Sequence, residues 1–340
     1  MLSLDGAHGE GGGQILRTAV ALSVLNKVPI EIRNIRANRP DSGIKAQHYI
    51  AIKSVKELCN AETSGLEVGS SNLTFNPGEL KGGKYKFDIG TAGSIILVFQ
   101  TCILSCLRSK EDITIQIKGG TENKWAPTWD YFEHVFIPLI KKIGVSVDTQ
   151  LIKRGYYPKG GGEALITIHS TANIKPLIMD EEQKFSDVEG IINISNLPEH
   201  ISTRIKHTTI NELLKSNLKS NIIVEQTNSL SQGVGITLWT KSKDAVLGSA
   251  VIGERGLSSE EVGKKAAKDL LSEINSCANL DIHALDQLLP YMVLSNESSS
   301  CLVREISSHA MTNMWILKQF LDVDFEVKHN KSNYLVTVKK

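Results

Sequence analysis

The chain has 340 residues, 41% of them apolar and 22% charged, and a formal net charge of +1. That is an ordinary globular composition without a polybasic tail, so any contact with nucleic acid must come from a local patch rather than from the field of the whole molecule. There is no uncharged apolar run long enough for a membrane span, no signal-peptide apolar core and no ladder of cysteines, so the expectation is a cytoplasmic protein with reduced thiols and no membrane partner.

In chain order, the first predicted elements are a strand, LSLD (2–5), a glycine-rich loop, GAHGEGGG (6–13), and a helix, QILRTAVALSVL (14–25). A strand PIEIRNIR (29–36), a polar loop and an amphipathic helix IKAQHYIAIKSVKEL (44–58) follow, and two short strands near LEVG (66–69) and NLTFNP (72–77) close the unit. The same order then returns as strand KYKFDIG (84–90), helix TAGSIILVFQTCILSCL (91–107), strand DITIQIKGG (112–120) and helix DYFEHVFIPLIKKIG (130–144). Strands VSVDTQLI (145–152) and EALITIHS (163–170), joined by the turn-rich KRGYYPKGGG, complete it. Asp5 falls on Asp88 and Ile32 on Ile115 at one offset of 83 residues, which predicts a structural repeat.

The C-terminal end reads as the second half of a third copy: helix near DIHALDQLLPYMVL (281–294), strand CLVREI (301–306), helix HAMTNMWILKQFL (309–321), and a hairpin of DVDFEVKHN and NYLVTVKK. Between Glu182 and Cys277 lies a separate pattern of strands and two helices, the second opened by a capping box, Ser258 to Glu261. The expected fold class is α+β: three repeated β-α-β-α-β-β units, each a four-stranded sheet plus two helices, with a small α+β domain inserted in the third. Residues 1–181 and 278–340 form the main domain in this reading, and residues 182–277 the insert.

Several residues carry chemistry. The loop Gly6 to Gly13 joins a strand to a helix, where glycines let backbone approach a ligand and the helix start favours an anion. It has neither GxGxxG spacing nor a GK[ST] ending, so it is no dinucleotide fingerprint or P-loop. Glu10 inside such a loop would repel phosphate unless a metal ion bridges the two. Arg17, Arg36 and Arg39 suit phosphate oxygens, although a solvated basic loop explains the last two equally well. Trp125, Pro127, Trp129 and Tyr131 form either an apolar wall or plain loop packing. Asp286 and Gln287 are polar beside an apolar helical run, which an exposed helix face also explains. Cys102 and Cys106, four apart in an apolar helix, read as core thiols. His309, at the start of a helix, is either a capping histidine or a nucleophile at a helix N-terminus.

Seven stretches, in this order, resemble the RNA 3'-terminal phosphate cyclases over essentially the whole chain: LDGAHGEGGGQILRTA, IRANRP, GTAGS with Gln100 downstream, GGTENKWAP, YYPKGGGE, LDQL and SHAMTN. The resemblance implies a main domain of three repeated units with an insert in the third, and an ATP-dependent cyclisation of RNA 3'-phosphate ends. It implies that His309 is adenylylated by ATP and that AMP then passes to the RNA. Glu10 matches a metal-site carboxylate, the metal being magnesium or manganese. Gln100, Pro127, Tyr131 and the HALDQ stretch (His283, Ala284, Leu285, Asp286 and Gln287) match the ATP site. Arg17, Arg36 and Arg39 match residues around the phosphates. The sequence departs from the family near HALDQ, where a tyrosine often stacks on adenine and the nearest ring here is His283. Non-catalytic ribosome-assembly relatives lack the histidine, which this chain has. Enolpyruvyl transferases need two full sets of units, and this chain has one.

Overall fold

The computed structural model describes residues 1–171 and 173–340. β1 (Leu2–Asp5), α1 (Gly13–Asn26), β2 (Ile30–Arg33), α2 (Ala46–Cys59), β3 (Glu62–Ser64) and β4 (Leu73–Asn76) come first. β5 (Gly83–Asp88), α3 (Ile95–Ser105) and β6 (Ile113–Gly119) follow. α4 (Trp129–Tyr131) runs through a π-helical stretch, Phe132–Phe136, into α5 (Ile137–Lys142), and β7 (Val147–Lys153) and β8 (Gly162–Ile168) close this part. Then come β9 (Ile178–Met179), β10 (Asp187–Ser195), α6 (Glu199–Leu214), β11 (Lys219–Thr227), β12 (Gly233–Lys241), β13 (Val246–Ile252) and α7 (Ser259–Asn275). The chain continues with α8 (Ile282–Met292), β14 (Ser299–Val303), α9 (Ser308–Phe320), β15 (Asp324–Asn330) and β16 (Asn333–Lys339).

The strands form four four-stranded sheets, ordered β1-β2-β4-β3, β5-β6-β8-β7, β15-β16-β14-β9 and β11-β10-β12-β13. Each sheet is mixed, with one parallel pair and two antiparallel ones. The fold class is α+β, as expected. Three of the sheets share one order, in which the fourth strand lies between the second and third.

Beyond its first turns α1 has almost no polar face: Ile15, Leu16, Ala19, Val20, Leu22 and Leu25 are all buried. A helix apolar nearly all round belongs in the interior, and α1 touches α2, α3 and α9. The main hydrophobic cluster runs through the sheets and helices around it, while Val188, Ile192, Ile205, Ile236 and Leu270 belong to a second cluster between α6, α7 and the sheet of β10 to β13. Leu280 joins the two regions by bridging Val246 on one side and Val303 on the other.

Four details differ from the sequence reading. The strand expected at LEVG lies earlier, at Glu62–Ser64. β9 is two residues long, too short to leave a pattern. Pro138 lacks the N–H that would bond one turn back, and the helix carrying it widens into the π-helical stretch just before it. The repeat offset also changes: Leu4 pairs with Ile32, but Phe87 pairs with Ile117, two residues beyond the position that a constant offset gives. A shift of two keeps every side chain on its face, so the sequence pattern does not reveal it.

The capping box appears as read, with Ser258 Oγ accepting from the Glu261 N–H at 3.2 Å and the Glu261 carboxylate accepting from the Ser258 N–H at 2.8 Å. All five cysteines are free. Cys102 and Cys106 are buried, and burial raises both thiols well above their ordinary pKa. Among the described residues no helix is long and apolar enough to cross a membrane.

Candidate active site

The glycine loop leaves β1 and delivers the chain into α1. Gly11 sits at φ +57, a left-handed conformation that costs glycine little. A Cβ on Gly13 would overlap the ring of His48 from α2, so only glycine lets α1 begin this close to its neighbour. His48 is 4% exposed, and its Nδ1 accepts from the Lys45 N–H at 3.2 Å. Burial, with Arg17 and Arg36 nearby, pulls its pKa down to about 3. The first turns of α1 then present Gln14, Arg17 and Thr18 on one face.

Helix α9 meets that face. Ser307 caps it, its Oγ accepting from the Ala310 N–H at 3.0 Å. His309 lies in the first turn. The Gln14 amide nitrogen donates to the His309 carbonyl at 3.1 Å, which turns the amide oxygen toward Nδ1, 2.7 Å away. Nδ1 therefore carries the proton and Nε2 the lone pair. Burial lowers the His309 pKa, and Arg17, Arg39 and His283 act the same way against the opposing pull of Glu10. The ring is neutral at neutral pH, with Nε2 available to an electrophile. One turn along, the Thr18 hydroxyl donates to Asn313 at 3.2 Å, and Asn313 donates to the Asp286 carbonyl at 2.6 Å, tying α1, α9 and α8 together.

Glu10 stands beside the ring. One carboxylate oxygen lies 3.4 Å from His309 Nε2 and 3.1 Å from Arg39, and the other accepts from the Ser308 hydroxyl. The Ser308 hydrogen bond lowers the Glu10 pKa more than any other influence. Arg36 and Arg39 follow β2 in the adjoining loop, and the Nε of each is buried without a hydrogen-bond partner among the described residues. Arg17 is half-buried, and burial lowers its pKa while Asp286 pulls it back up.

His309 opens onto a cavity of about 620 Å³, which also touches Arg17, Gln100, Pro127, Tyr131, His283, Asp286 and Gln287. α8 runs along one wall. Asp281 caps it, accepting from the His283 and Ala284 N–H groups at 3.0 Å, and also accepts from the Tyr131 hydroxyl at 2.8 Å and the Gly248 N–H at 3.0 Å. Gln100 donates to Gln287 at 2.6 Å. Burial, then Asp281, raises the Asp286 carboxyl well above the usual range. At the far wall, Glu273 is 3% exposed and accepts from Arg304 at 3.0 Å; burial pushes it up to about 7.

The structure thus brings most of the expected residues together: His309, Arg17, Gln100, Pro127, Tyr131, His283, Asp286 and Gln287 border one space. Glu10, Arg36 and Arg39 are grouped around the glycine loop next to it. Ala284 and Leu285 do not border the cavity with their side chains, which are buried in the core at 2% and 0% exposure. The helical period sets this division. His283, Asp286 and Gln287 share the cavity face of α8, whereas Ala284, Leu285 and Leu288 share the opposite one. The sequence reading passed over Gln14, Ser308, Asp281 and Glu273. Gln14 alone left a signal, since it shares a helix face with Arg17 and Thr18 at spacings of three and four.

Among the described residues no three histidine, cysteine or acidic side chains converge as a metal cage. Glu10 is a single carboxylate. That donor set fits a hard divalent ion that takes its remaining ligands from water and from phosphate oxygens, as magnesium commonly does, and no other kind of metal site.

A sequence profile described as RNA 3'-terminal phosphate cyclase matches residues 8–327. Proteins described by the same name are similar nearly end to end. The one from Methanosarcina barkeri is 43% identical, covering 99% of this chain and all of the relative. The one from Pyrococcus furiosus is 41% identical, covering 96% and 95%, and the one from Nitrosospira multiformis is 39% identical, covering 96% and 93%. Matches of this extent, on a chain whose glycine loop and His309 meet at one cavity, show that it belongs to the RNA 3'-terminal phosphate cyclase family.

Proposed function

We propose that this chain uses ATP to convert an RNA 3'-terminal phosphate into a 2',3'-cyclic phosphodiester, in three displacements at phosphorus. In the first, His309 Nε2 attacks the α-phosphorus of ATP, a P–N bond forms, and pyrophosphate leaves with the electrons of the broken P–O bond. The ring carries Nδ1–H throughout, so the adduct is cationic. Gln14 accepts the Nδ1 hydrogen bond and the Glu10 carboxylate faces the charge, 3.4 Å from Nε2. Glu10 therefore has a clear electrostatic task even though it opposes the low pKa of the free ring. In the second displacement an oxygen of the RNA 3'-phosphate attacks the same phosphorus, the P–N bond breaks, and a neutral imidazole returns. In the third the neighbouring 2'-hydroxyl attacks the RNA phosphorus and expels AMP, and its proton is lost to solvent.

Arg17, Arg36 and Arg39 hold the phosphate charge, and the N-terminal ends of α1 and α9 add their partial positive charge. Gln100, Pro127, Tyr131, His283, Asp286 and Gln287 hold the nucleoside. A magnesium or manganese ion held by Glu10 and the phosphates would reduce repulsion among the anions and help orient pyrophosphate to leave. We also infer that residues 1–181 and 278–340 are three copies of one β-α-β-α-β-β unit, with residues 182–277 inserted after the first strand of the third. The shared strand order of three sheets and the separate hydrophobic cluster support this division.

The observation that carries the reading is a neutral imidazole at a helix start whose Nδ1 is fixed by Gln14 and whose ring borders the cavity. The test is incubation with α-labelled ATP. The wild-type chain is expected to gain an acid-labile, alkali-stable label, and His309→Ala to gain none while keeping its circular dichroism. Full labelling of the alanine variant would sink the mechanism.

A further inference from the structure

Arg154 follows β7 and is 3% exposed, far from His309 in the chain and absent from the cavity wall. Its guanidinium has five N–H donors, and all five are taken. One NH group donates to Glu122 at 2.7 Å and to Asp130 at 3.0 Å; the other donates to Asp130 at 2.7 Å and to Glu225; Nε donates to Glu225 at 2.8 Å. Asn193 of β10 donates to Asp130 at 3.0 Å, and the Tyr156 hydroxyl donates to Asn193 at 2.8 Å. Asp130 and Glu122 bracket one loop, the segment that carries Trp125, Ala126 and Pro127 to the cavity. Glu225 belongs to β11, the outer strand of a different sheet.

A single buried cation therefore grips both ends of the loop that walls the cavity and, with its remaining donors, the sheet of β10 to β13. The two ends of the loop have backbone ties as well: the Thr121 and Glu122 N–H groups donate to the Gly155 carbonyl at 2.9 and 3.2 Å, the Trp129 N–H donates to the Thr121 carbonyl at 3.1 Å, and Asn123 donates to the Ala92 carbonyl, which leaves the crown at residues 124–127 to be placed. Trp125 is 89% exposed and in the left-handed region at φ +66, and Lys124 reaches across to Glu254 at 2.8 Å. Within the loop's C-terminal half, Thr128 bonds Thr237 of β12 at 2.9 Å, a second tie to the same sheet.

We propose that Arg154 is a positioning residue for the nucleotide: by clamping Glu122, Asp130 and Glu225 together it sets the distance between the Trp125–Pro127 wall and α8. It touches no reacting atom. A lysine cannot replace it, since an ammonium has three donors and no planar fork to span two carboxylates and a third at once. The inference rests on the cavity being the ATP site, and its test separates the two ideas.

The experiment measures binding of an ATP analogue with a non-cleavable α–β linkage, by calorimetry, beside single-turnover labelling of His309 at saturating ATP. Arg154→Lys is expected to weaken the analogue about tenfold, the scale of a misplaced binding wall, while saturated labelling stays within about threefold of wild type. Glu225→Gln touches the half-exposed edge of the cluster, 45% exposed at the side chain, and keeps the fold if Arg154→Lys does not. It is expected to weaken the analogue about threefold, roughly half the free-energy effect of Arg154→Lys. Unchanged analogue affinity in Glu225→Gln and in any folded Arg154→Lys overturns the proposal, and so does an equal loss of affinity and saturated rate, which places Arg154 in the chemistry. Wild-type protein that binds the analogue but never labels would instead overturn the reaction and leave the clamp standing.

Discussion

The chemistry of His309 is set by groups that its own stretch of sequence does not contain. The serine before it and the helix after it are visible in SHAMTN, but the tautomer is decided by Gln14, whose amide holds Nδ1 from another helix. Gln14→Leu removes that acceptor without adding charge. Labelling of His309 at saturating ATP is expected to fall about 10- to 100-fold, the usual cost of losing an orienting partner, with little change in ATP KM. A variant that labels at the wild-type rate would show that ring orientation comes from elsewhere. His48 makes a different residue-scale statement. Its pKa is about 3 in the folded protein against an ordinary 6.5, so between those values the unfolded chain binds a proton that the folded chain does not. Stability from this ring is fully present above pH 6.5 and is lost as pH falls toward 3. From pH 7 to 5 the loss amounts to about 2 kcal/mol. Urea unfolding at pH 7 and pH 5 should show it, and His48→Gln should flatten the difference; equal slopes in both proteins would contradict the assignment.

At the scale of elements, legibility followed length and period. The helices α1, α2, α6, α7, α8 and α9 fall where the apolar spacing puts them, because each buries a broad face over three turns or more. Short pieces escaped. The strand Glu62–Ser64 buries no residue, so it has no apolar alternation to read. The π-helical stretch at Phe132–Phe136 keeps an apolar run that looks helical throughout. The same limit affected HALDQ, where a stretch read as one unit divides into a cavity face and a core face once the helix is built. The junction of α1 with α2 carries its own test. Gly13→Ala drives a methyl group into the His48 ring. Overpacking of this kind costs about 1–3 kcal/mol, and it should also slow labelling of His309, because the displaced turn carries Gln14 and Arg17. Adding His48→Ala to Gly13→Ala opens room and should return part of both losses. If the double variant is no better than the single one, the contact is not what glycine at this position preserves.

For the whole molecule, the proposed reaction asks for positioning and charge, and the cavity offers those. Arg17, Arg304 and the start of α9 border it, and the proposed reaction assigns no dedicated base to the 2'-hydroxyl. The last displacement is intramolecular, which supplies much of its rate without one. An RNA ending in a 2'-deoxynucleotide 3'-phosphate is therefore expected to accept AMP and stop, accumulating the adenylylated end, while the ordinary ribonucleotide end runs on to the cyclic product. Gel separation of the two products decides it. A deoxy end that is never adenylylated would make the 2'-hydroxyl a recognition element instead.

The contact between α1 and α9 also bears on how the protein comes into being. Gln14 meets His309, and Thr18 meets Asn313, across 295 residues of chain. During synthesis the glycine loop and α1 emerge well before α9 and must wait for the segment between them before the imidazole reaches them. Contacts of such long sequence separation close late in folding. A nascent or prematurely ended chain can then acquire its early sheets without the imidazole that the proposed reaction adenylylates. On the proposed mechanism the α1–α9 contact acts as a completeness check: only a chain that has been read through to α9 is armed.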